Sequence, residues 1–255
     1  MFIPDQYVTN ITERYTGIYI QDELGFLENR IRLTLAGRYT FASQSSYGGK
    51  PDKADYITPR IGLSISIDKQ TSIYGLYDQA FIPQSGILTN GKKTQPITGN
   101  NSEIGLKKDW FSGKWNTTLS VYRILKNNEL TADPSKAPNS GLSIELGQKR
   151  AQGIEFDIRG ELFKGLNLTA NYAYTDAKVI KVANGVSNDV AFKGQRIAGS
   201  NEHTINTWLS YKIQKGALYG WGASSGFTYL IDRATGSYSH VSAAQNLPDH
   251  FKLDA

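Results

Sequence analysis

No cysteine occurs in the 255 residues, so neither a disulfide scaffold nor a thiolate metal site is available. Histidine is scarce too. The three, His203, His240 and His250, are dispersed without H-x-x-x-H spacing, and no metal site is expected from them. No apolar run approaches the roughly 20 residues of a spanning helix, and mean hydropathy is only -0.40 with hydrophobics at 39%. Helical membrane proteins are thereby excluded. β-Barrel membrane proteins are not, because alternation hides their hydrophobic band. Charge of one sign is not concentrated either: the net +5 comes from bases scattered along the chain, so no nucleic-acid partner is expected. The opening Met1-Phe2-Ile3-Pro4-Asp5 lacks the basic and apolar regions of a signal peptide. The closing residues, Asp249 to Ala255, read as a strand cut off as it begins. Together the two ends suggest an internal piece of a longer secreted chain.

What is abundant is Tyr, at 15, with 10 Phe and 4 Trp, a set that suits β-structure, aromatic girdles or a sugar-binding face. The most informative stretch is 150–176. Ile154, Phe156, Ile158 and Leu162 share one face of a two-residue period, while Gly153, Glu155, Asp157, Arg159 and Glu161 share the other. After a tight turn at Phe163-Lys164-Gly165 the alternation restarts, with Leu166, Leu168, Ala170, Tyr172 and Tyr174 against Asn167, Thr169, Asn171 and Thr175. That is an antiparallel hairpin. Its polar face carries more charge than a packed soluble core tolerates. An apolar face ending in aromatics, opposite a charged one, is the pattern of an outer-membrane barrel strand.

The same reading places further strands at 15–23, 30–39, 58–67, 72–81, 103–111, 115–126, 204–213 and 219–231. In 30–39, Ile31, Leu33, Leu35 and Tyr39 face out and Arg30, Arg32, Thr34 and Arg38 face in. In 219–231, Tyr219 and Trp221 join Phe227 and Tyr229 on one face. Turns at 25–29, 68–70, 112–114, 163–165 and 214–217 alternate with loops at 42–55, 83–99, 127–140, 177–201 and 234–248. Short connections of roughly 3–5 residues thus alternate with loops of roughly 14–25. Barrels of the outer membrane set short turns on one side and long loops on the other, whereas soluble sandwiches mix them. The expected fold is all-β, an antiparallel meander of about ten strands in one partial-barrel domain over residues 1–255.

Several segments resemble TonB-dependent siderophore receptors. Y-T-G-I-Y-I-Q-D-E-L (15–24) is similar to their G-x-Y-x-Q-D strand, and S-I-Y-G-L-Y-D-Q-A-F-I-P (72–83) to Y-x-S-Y-S-x-S-F-x-P. N-N-S-E-I-G-L-K-K-D (100–109) resembles E-x-G-x-K-Y. K-N-N-E-L-T-A-D-P (126–134) with G-Q-K-R-A-Q-G-I-E-F-D (147–157) resembles K-x-N…D-P and G-x-x-R-x-x-G-x-E. A-N-Y-A-Y-T-D-A (170–177) is similar to x-S-Y-x-Y-T-D-A. The likeness is nearest to the ferrichrome-type, hydroxamate-siderophore branch. It implies an incomplete segment of a transmembrane barrel of about 22 strands, lacking the plug domain and the TonB box. It also implies outer-membrane location, contact with lipid, a ferric siderophore as ligand, and coupling to TonB-ExbB-ExbD through an N-terminal box absent from this chain. No bond chemistry is implied. Cofactors are expected to be none, iron arriving only as the siderophore chelate.

Three apparent motifs are read as ordinary structure. Gly86 to Lys92 spells a P-loop, but Lys93 stands where a Ser or Thr must bind magnesium. Gly222-Ala223-Ser224-Ser225-Gly226 spells G-x-S-x-G inside an alternating strand, where no nucleophile elbow forms. Glu155, Asp157 and Glu161 with Arg159 read as lumen-facing ion pairs to neighbouring strands and plug. Tyr47, Tyr77 and Phe81 are the candidate siderophore-binding residues; the competing reading puts Tyr77 and Phe81 in an aromatic girdle. Alternative functions are a TonB-dependent receptor for cobalamin or carbohydrate, a passive porin, and a soluble glycan-binding β-sandwich. The sandwich predicts Ile31, Leu33 and Leu35 packed beneath a second sheet.

Overall fold

The computed structural model describes residues 11–46, 50–84, 86–92, 94–133, 135–137, 140–184, 186, 191–235 and 246–255. Every regular element among them is a strand: β1 (Ile11–Phe26), β2 (Ile31–Ser46), β3 (Asp52–Ser66), β4 (Thr71–Ile82), β5 (Ile87–Leu88), β6 (Ile97–Trp110), β7 (Trp115–Asn127), β8 (Leu130–Ala132), β9 (Leu142–Glu145), β10 (Gly147–Phe163), β11 (Leu166–Val182), β12 (Asn201–Lys212), β13 (Gly222–Ala234), β14 (Asn246–Leu247) and β15 (His250–Asp254). Twelve form one sheet in the order β1-β2-β3-β4-β6-β7-β10-β11-β12-β13, with β14 and β15 both on β13. These last two follow one another along β13 and are interrupted at Pro248, which has no N–H for a ladder. Ten long antiparallel strands and the start of another therefore match the alternation in the sequence. The sheet is open, with β1 and the β14/β15 line as its edges.

Paired residues share a face, so rows can be followed from strand to strand. Leu63, Gly75, Ile104, Val121, Ile154 and Tyr174 form one such row across β3, β4, β6, β7, β10 and β11. Leu119, Phe156, Tyr172, Ile205, Tyr229 and Phe251 form another across β7, β10, β11, β12, β13 and β15. No second layer covers this face: Ile104 is 59% exposed, Val121 51%, Ile154 45% and Phe156 38%. Soluble proteins rarely expose an apolar surface of this extent. The buried apolar side chains are few and small, Ala42, Leu88, Ala177, Val179, Ala191 and Ala234, and all lie toward the long-loop end. Hydrogen bonds and lateral packing, not a core, hold the sheet together. Leu35, 41% exposed, rests under no other sheet, which removes the sandwich alternative.

The strands run further than the alternation suggests. β10 and β11 have 17 residues each, about 56 Å of chain, where a spanning strand needs about 9–11 residues. The surplus projects at the long-loop end, so the loop expected at 42–55 is mostly ladder, from Phe41↔Asp55 to Gln44↔Asp52. Likewise β6 starts at Ile97 and β11 continues to Val182. The loops around 87–88 and 130–145 contain strands of their own: β5 pairs parallel to β9, and β9 antiparallel to β8. One boundary moves the other way. Tyr219 and Trp221 sit in the turn before β13, because Gly216 and Gly220 take φ of 84° and 89°, a left-handed backbone that breaks the strand. The turn is closed by Ile213 N donating to Trp221 O at 2.8 Å.

Candidate functional site

The polar face is a continuous hydrogen-bonded wall. Tyr74 lies across Gly105, where an added Cβ would fall 2.5 Å from the ring, and donates to Glu103 Oε1 at 2.5 Å. Lys107 Nζ stands 4.9 Å from the centre of that ring. Tyr122 and Thr175 share a hydrogen bond of 2.7 Å across the width of β10. Asn206 donates through Nδ2 to Asn171 Oδ1 and accepts through Oδ1 from Thr228 Oγ1, both at 2.8 Å, tying β11, β12 and β13. Arg60 and Asp78 pair at 3.2 Å between β3 and β4. Such a surface is built to face water or a polar occupant.

At the long-loop end the connections are clipped into a rim. Gln84 Nε2 donates to Gln95 O at 2.6 Å and to Asn128 O, while Asn128 Nδ2 donates to Pro96 O at 3.0 Å. Thr89 Oγ1 donates to Asp133 Oδ2 at 2.5 Å, and Ser135 N and Oγ both donate to Asp133 Oδ1. Those bonds, first the one from Thr89, hold the Asp133 carboxyl below its ordinary range. Glu129 sits between Lys149 Nζ at 2.8 Å and Lys126 Nζ at 3.2 Å. Burial works against its ionisation, but the bond and charge of Lys149, joined by Lys126, outweigh it and lower the pKa. Arg196 fastens the next connection to β13 through Asp232 Oδ1 at 2.9 Å and Asn246 Oδ1 at 3.1 Å.

The candidate residues from the sequence fall as follows. Tyr77 is on the apolar face, in register between Ile61 and Ser102, and its hydroxyl accepts from Gln79 Nε2 at 2.6 Å. Phe81 continues β4 beyond Arg60↔Asp78, the last β3–β4 pair, and its ring stacks on Tyr56 with centroids 5.2 Å apart. Tyr47 and His240 lie outside the described residues. His203 Nδ1 shares a hydrogen bond of 2.8 Å with the hydroxyl of Tyr172, and His250 opens β15. The expected strand-to-strand ion pairs of the 155–161 group do not form among the described residues. Arg159 Nε donates to Asn116 Oδ1 at 3.1 Å, because Asn116 and Thr169 are what stand opposite it, and Glu161 Oε1 accepts from Gly165 N at 2.9 Å. Gly222–Gly226 is plain strand, with Ser225 Oγ donating to Asp254 O. Gly86 to Lys92 carries β5 and a turn at Gly91, with no helix to receive phosphate. Among the described residues no group of three or more His, Cys, Asp or Glu is placed to hold a metal ion. The rim residues Gln84, Asn128, Glu129 and Asp133 carry no motif; only the folded proximity of separate loops shows them.

A family model described as TonB dependent receptor-like, beta-barrel, matches residues 1–255. The chain belongs to this family. The ferrichrome outer membrane transporter/phage receptor of Escherichia coli is 31% identical over 85% of this chain and 28% of its own length. The metal-pseudopaline receptor CntO of Pseudomonas aeruginosa is 32% identical over 69% of this chain and 24% of its own. In structure, BauA, the ferric preacinetobactin receptor of Acinetobacter baumannii, overlays 96% of this chain and 36% of itself, with a TM-score of 0.75 at 20% identity. The chain therefore spans about a quarter to a third of the relatives it matches. TonB-dependent receptors are transporters and receptors of the Gram-negative outer membrane, and the two faces of the sheet take their meaning from that setting. The exposed apolar rows meet hydrocarbon and the hydroxyl and carboxylate face looks into the barrel.

Proposed function

We propose that this chain is wall and outer rim of a TonB-dependent receptor that imports a ferric siderophore. The observation that carries the reading is the single-layer sheet with one face uniformly apolar and uncovered, in a chain whose curated relatives include receptors for ferrichrome, ferrioxamine B and ferric pyoverdine. On this reading residues 1–255 form part of a larger barrel domain, and TonB is the energy-coupling partner of the whole receptor. Iron travels inside its chelate, so no protein group ligates it and no bond is made or broken.

The wall and the ligand surface divide between the aromatics. Tyr77, among apolar-face neighbours, belongs to the lipid-side girdle. Phe81, whose ring leaves β4 to stack on Tyr56, and Tyr47, by its place in the connection between β2 and β3, are assigned to the vestibule. The test is uptake of iron as a ferric hydroxamate by cells that depend on the receptor containing this chain. Uptake that requires both TonB and the receptor supports the proposal, and Phe81→Ala lowers ligand affinity about tenfold, as loss of an aromatic anchor does. TonB-independent flux of small sugars, or TonB-dependent uptake confined to cobalamin, overturns it.

A further inference from the structure

The apolar face is not evenly covered. A hollow of about 830 Å³ opens on it, lined in two adjacent rows of the ladder. One row is Leu63, Gly75, Ile104, Val121, Ile154 and Tyr174; the next toward the long loops is Ile61, Tyr77, Ser102, Arg123, Gln152 and Asp176. Gly75 makes the depression, standing without a side chain between Leu63 and Ile104, and a Cβ there would come no nearer than 3.9 Å to any other residue, at Glu103 O. Tyr77 and Tyr174 are flanking walls. The volume is within the ~300–1,000 Å³ of ordinary ligand sites.

The second row is where the face changes character, from aliphatic to Arg123, Gln152 and Asp176. Arg123 is exposed, and no ion pair among the described residues engages it. One row further on, Arg150 and Lys178 are register partners on the same face, and both hold Asp176 at 2.7 Å. Three cations thus surround one carboxylate that two of them already neutralise, leaving Arg123 at the lip of an apolar trough. A planar guanidinium in that position matches a phosphate bidentately.

We infer that this hollow is a built site for a phosphate-bearing lipid of the leaflet on the long-loop side, with acyl chain over Gly75 between Tyr77 and Tyr174 and phosphate on Arg123. The inference rests on the membrane reading above: it is the bilayer that supplies the occupant, and the cations at the lip that select an anionic one. Neither half suffices alone. An apolar trough without Arg123 would accept any chain, and Arg123 without the trough would be an ordinary surface cation.

The experiment uses the full receptor containing this wall, in neutral detergent, with bound lipid counted by native mass spectrometry. Phosphatidylglycerol, phosphatidylcholine and inorganic phosphate are titrated separately. The wild type takes phosphatidylglycerol in preference to phosphatidylcholine. Arg123→Gln weakens phosphatidylglycerol about tenfold, the loss expected for a charged hydrogen bond, and leaves phosphatidylcholine unchanged. Gly75→Leu, which fills the trough, weakens both lipids. Ser102→Leu fills it from the neighbouring row and repeats the result if the first variant folds poorly. Millimolar inorganic phosphate does not displace the lipid. Unchanged lipid affinity in Arg123→Gln, or in both filling variants, overturns the site, as does displacement by phosphate alone. Bilayer insertion, scored by heat-modifiable mobility, separates the two readings. A wild type that does not insert sinks the membrane assignment, whereas inserted variants with wild-type lipid affinity sink the site alone.

Discussion

Introducing arginine at Phe156 and, separately, at the adjacent Asp157 places the same side chain on the two faces of one strand. On β10 the apolar column runs from Ile154 to Leu162, eight steps that rise about 26 Å along the strand. At a barrel tilt of about 40° that is about 20 Å along the membrane normal, close to the ~25 Å band of outer-membrane barrels. Phe156 lies two steps inside the column, about 5 Å from its middle along the same normal. Its register neighbours Leu119 and Tyr172 offer no carboxylate. A midplane arginine costs about 2–4 kcal/mol, falling toward the interfaces, so Phe156→Arg should cost about 2–3 kcal/mol of folding free energy. Asp157→Arg enters a hydrated polar face with Thr118 and Asn171 beside it and should stay within about 0.5 kcal/mol. The assay is a denaturant titration of the receptor folding into lipid vesicles. Equal costs at the two positions, or a larger one at Asp157, would refute the assignment of faces.

Gly105→Val drives a branched side chain into the Tyr74 ring, 2.5 Å from the position of its Cβ, and should cost about 1–3 kcal/mol; Gly37→Ala, with nothing within 4 Å, should cost under about 1 kcal/mol in the same titration. A double-mutant cycle on Tyr122→Phe and Thr175→Val should return a coupling of about 0.5–1.5 kcal/mol for their 2.7 Å bond. The lowered pKa of Glu129 means that its contribution to rim stability is complete above the unfolded-state value and is lost as pH falls through the lower folded value. Amide exchange in β8 and β9 should therefore accelerate on acidification below about pH 4, and Lys149→Gln should move that acceleration to higher pH; exchange that is flat across this range contradicts the ion-pair account.

Most of the wall is legible in the sequence because a two-residue period exposes faces directly. Ile31, Leu33 and Leu35, or Ile154, Phe156 and Ile158, reveal which side is apolar without any knowledge of neighbours. β1 reads poorly because Asp22 interrupts Ile18, Ile20 and Leu24 on the same face, and at an edge no partner strand forces the pattern. Strand ends read short where the ladder passes beyond the bilayer. There both faces are wet, so Ser43, Gln44 and Lys53 pair as strand while looking like loop. The turn at Tyr219 and Trp221 misleads for the opposite reason: interface aromatics keep the alternating look while two glycines bend the backbone away. The candidate site is least legible. Glu129 finds Lys149, and Thr89 finds Asp133 across 44 residues, only because separate loops meet at the rim, and no local pattern encodes such a contact.

Which side of β10 touches hydrocarbon decides everything else said of this wall. Nitroxide labels placed singly from 153 to 159 in the membrane-inserted receptor, each measured for collision with oxygen and with a water-soluble nickel chelate, read that directly. A two-residue oscillation is expected, with oxygen favoured at 154, 156 and 158 and nickel favoured at 153, 155, 157 and 159. Nickel accessibility at all positions, or an oscillation of the opposite phase, would contradict it.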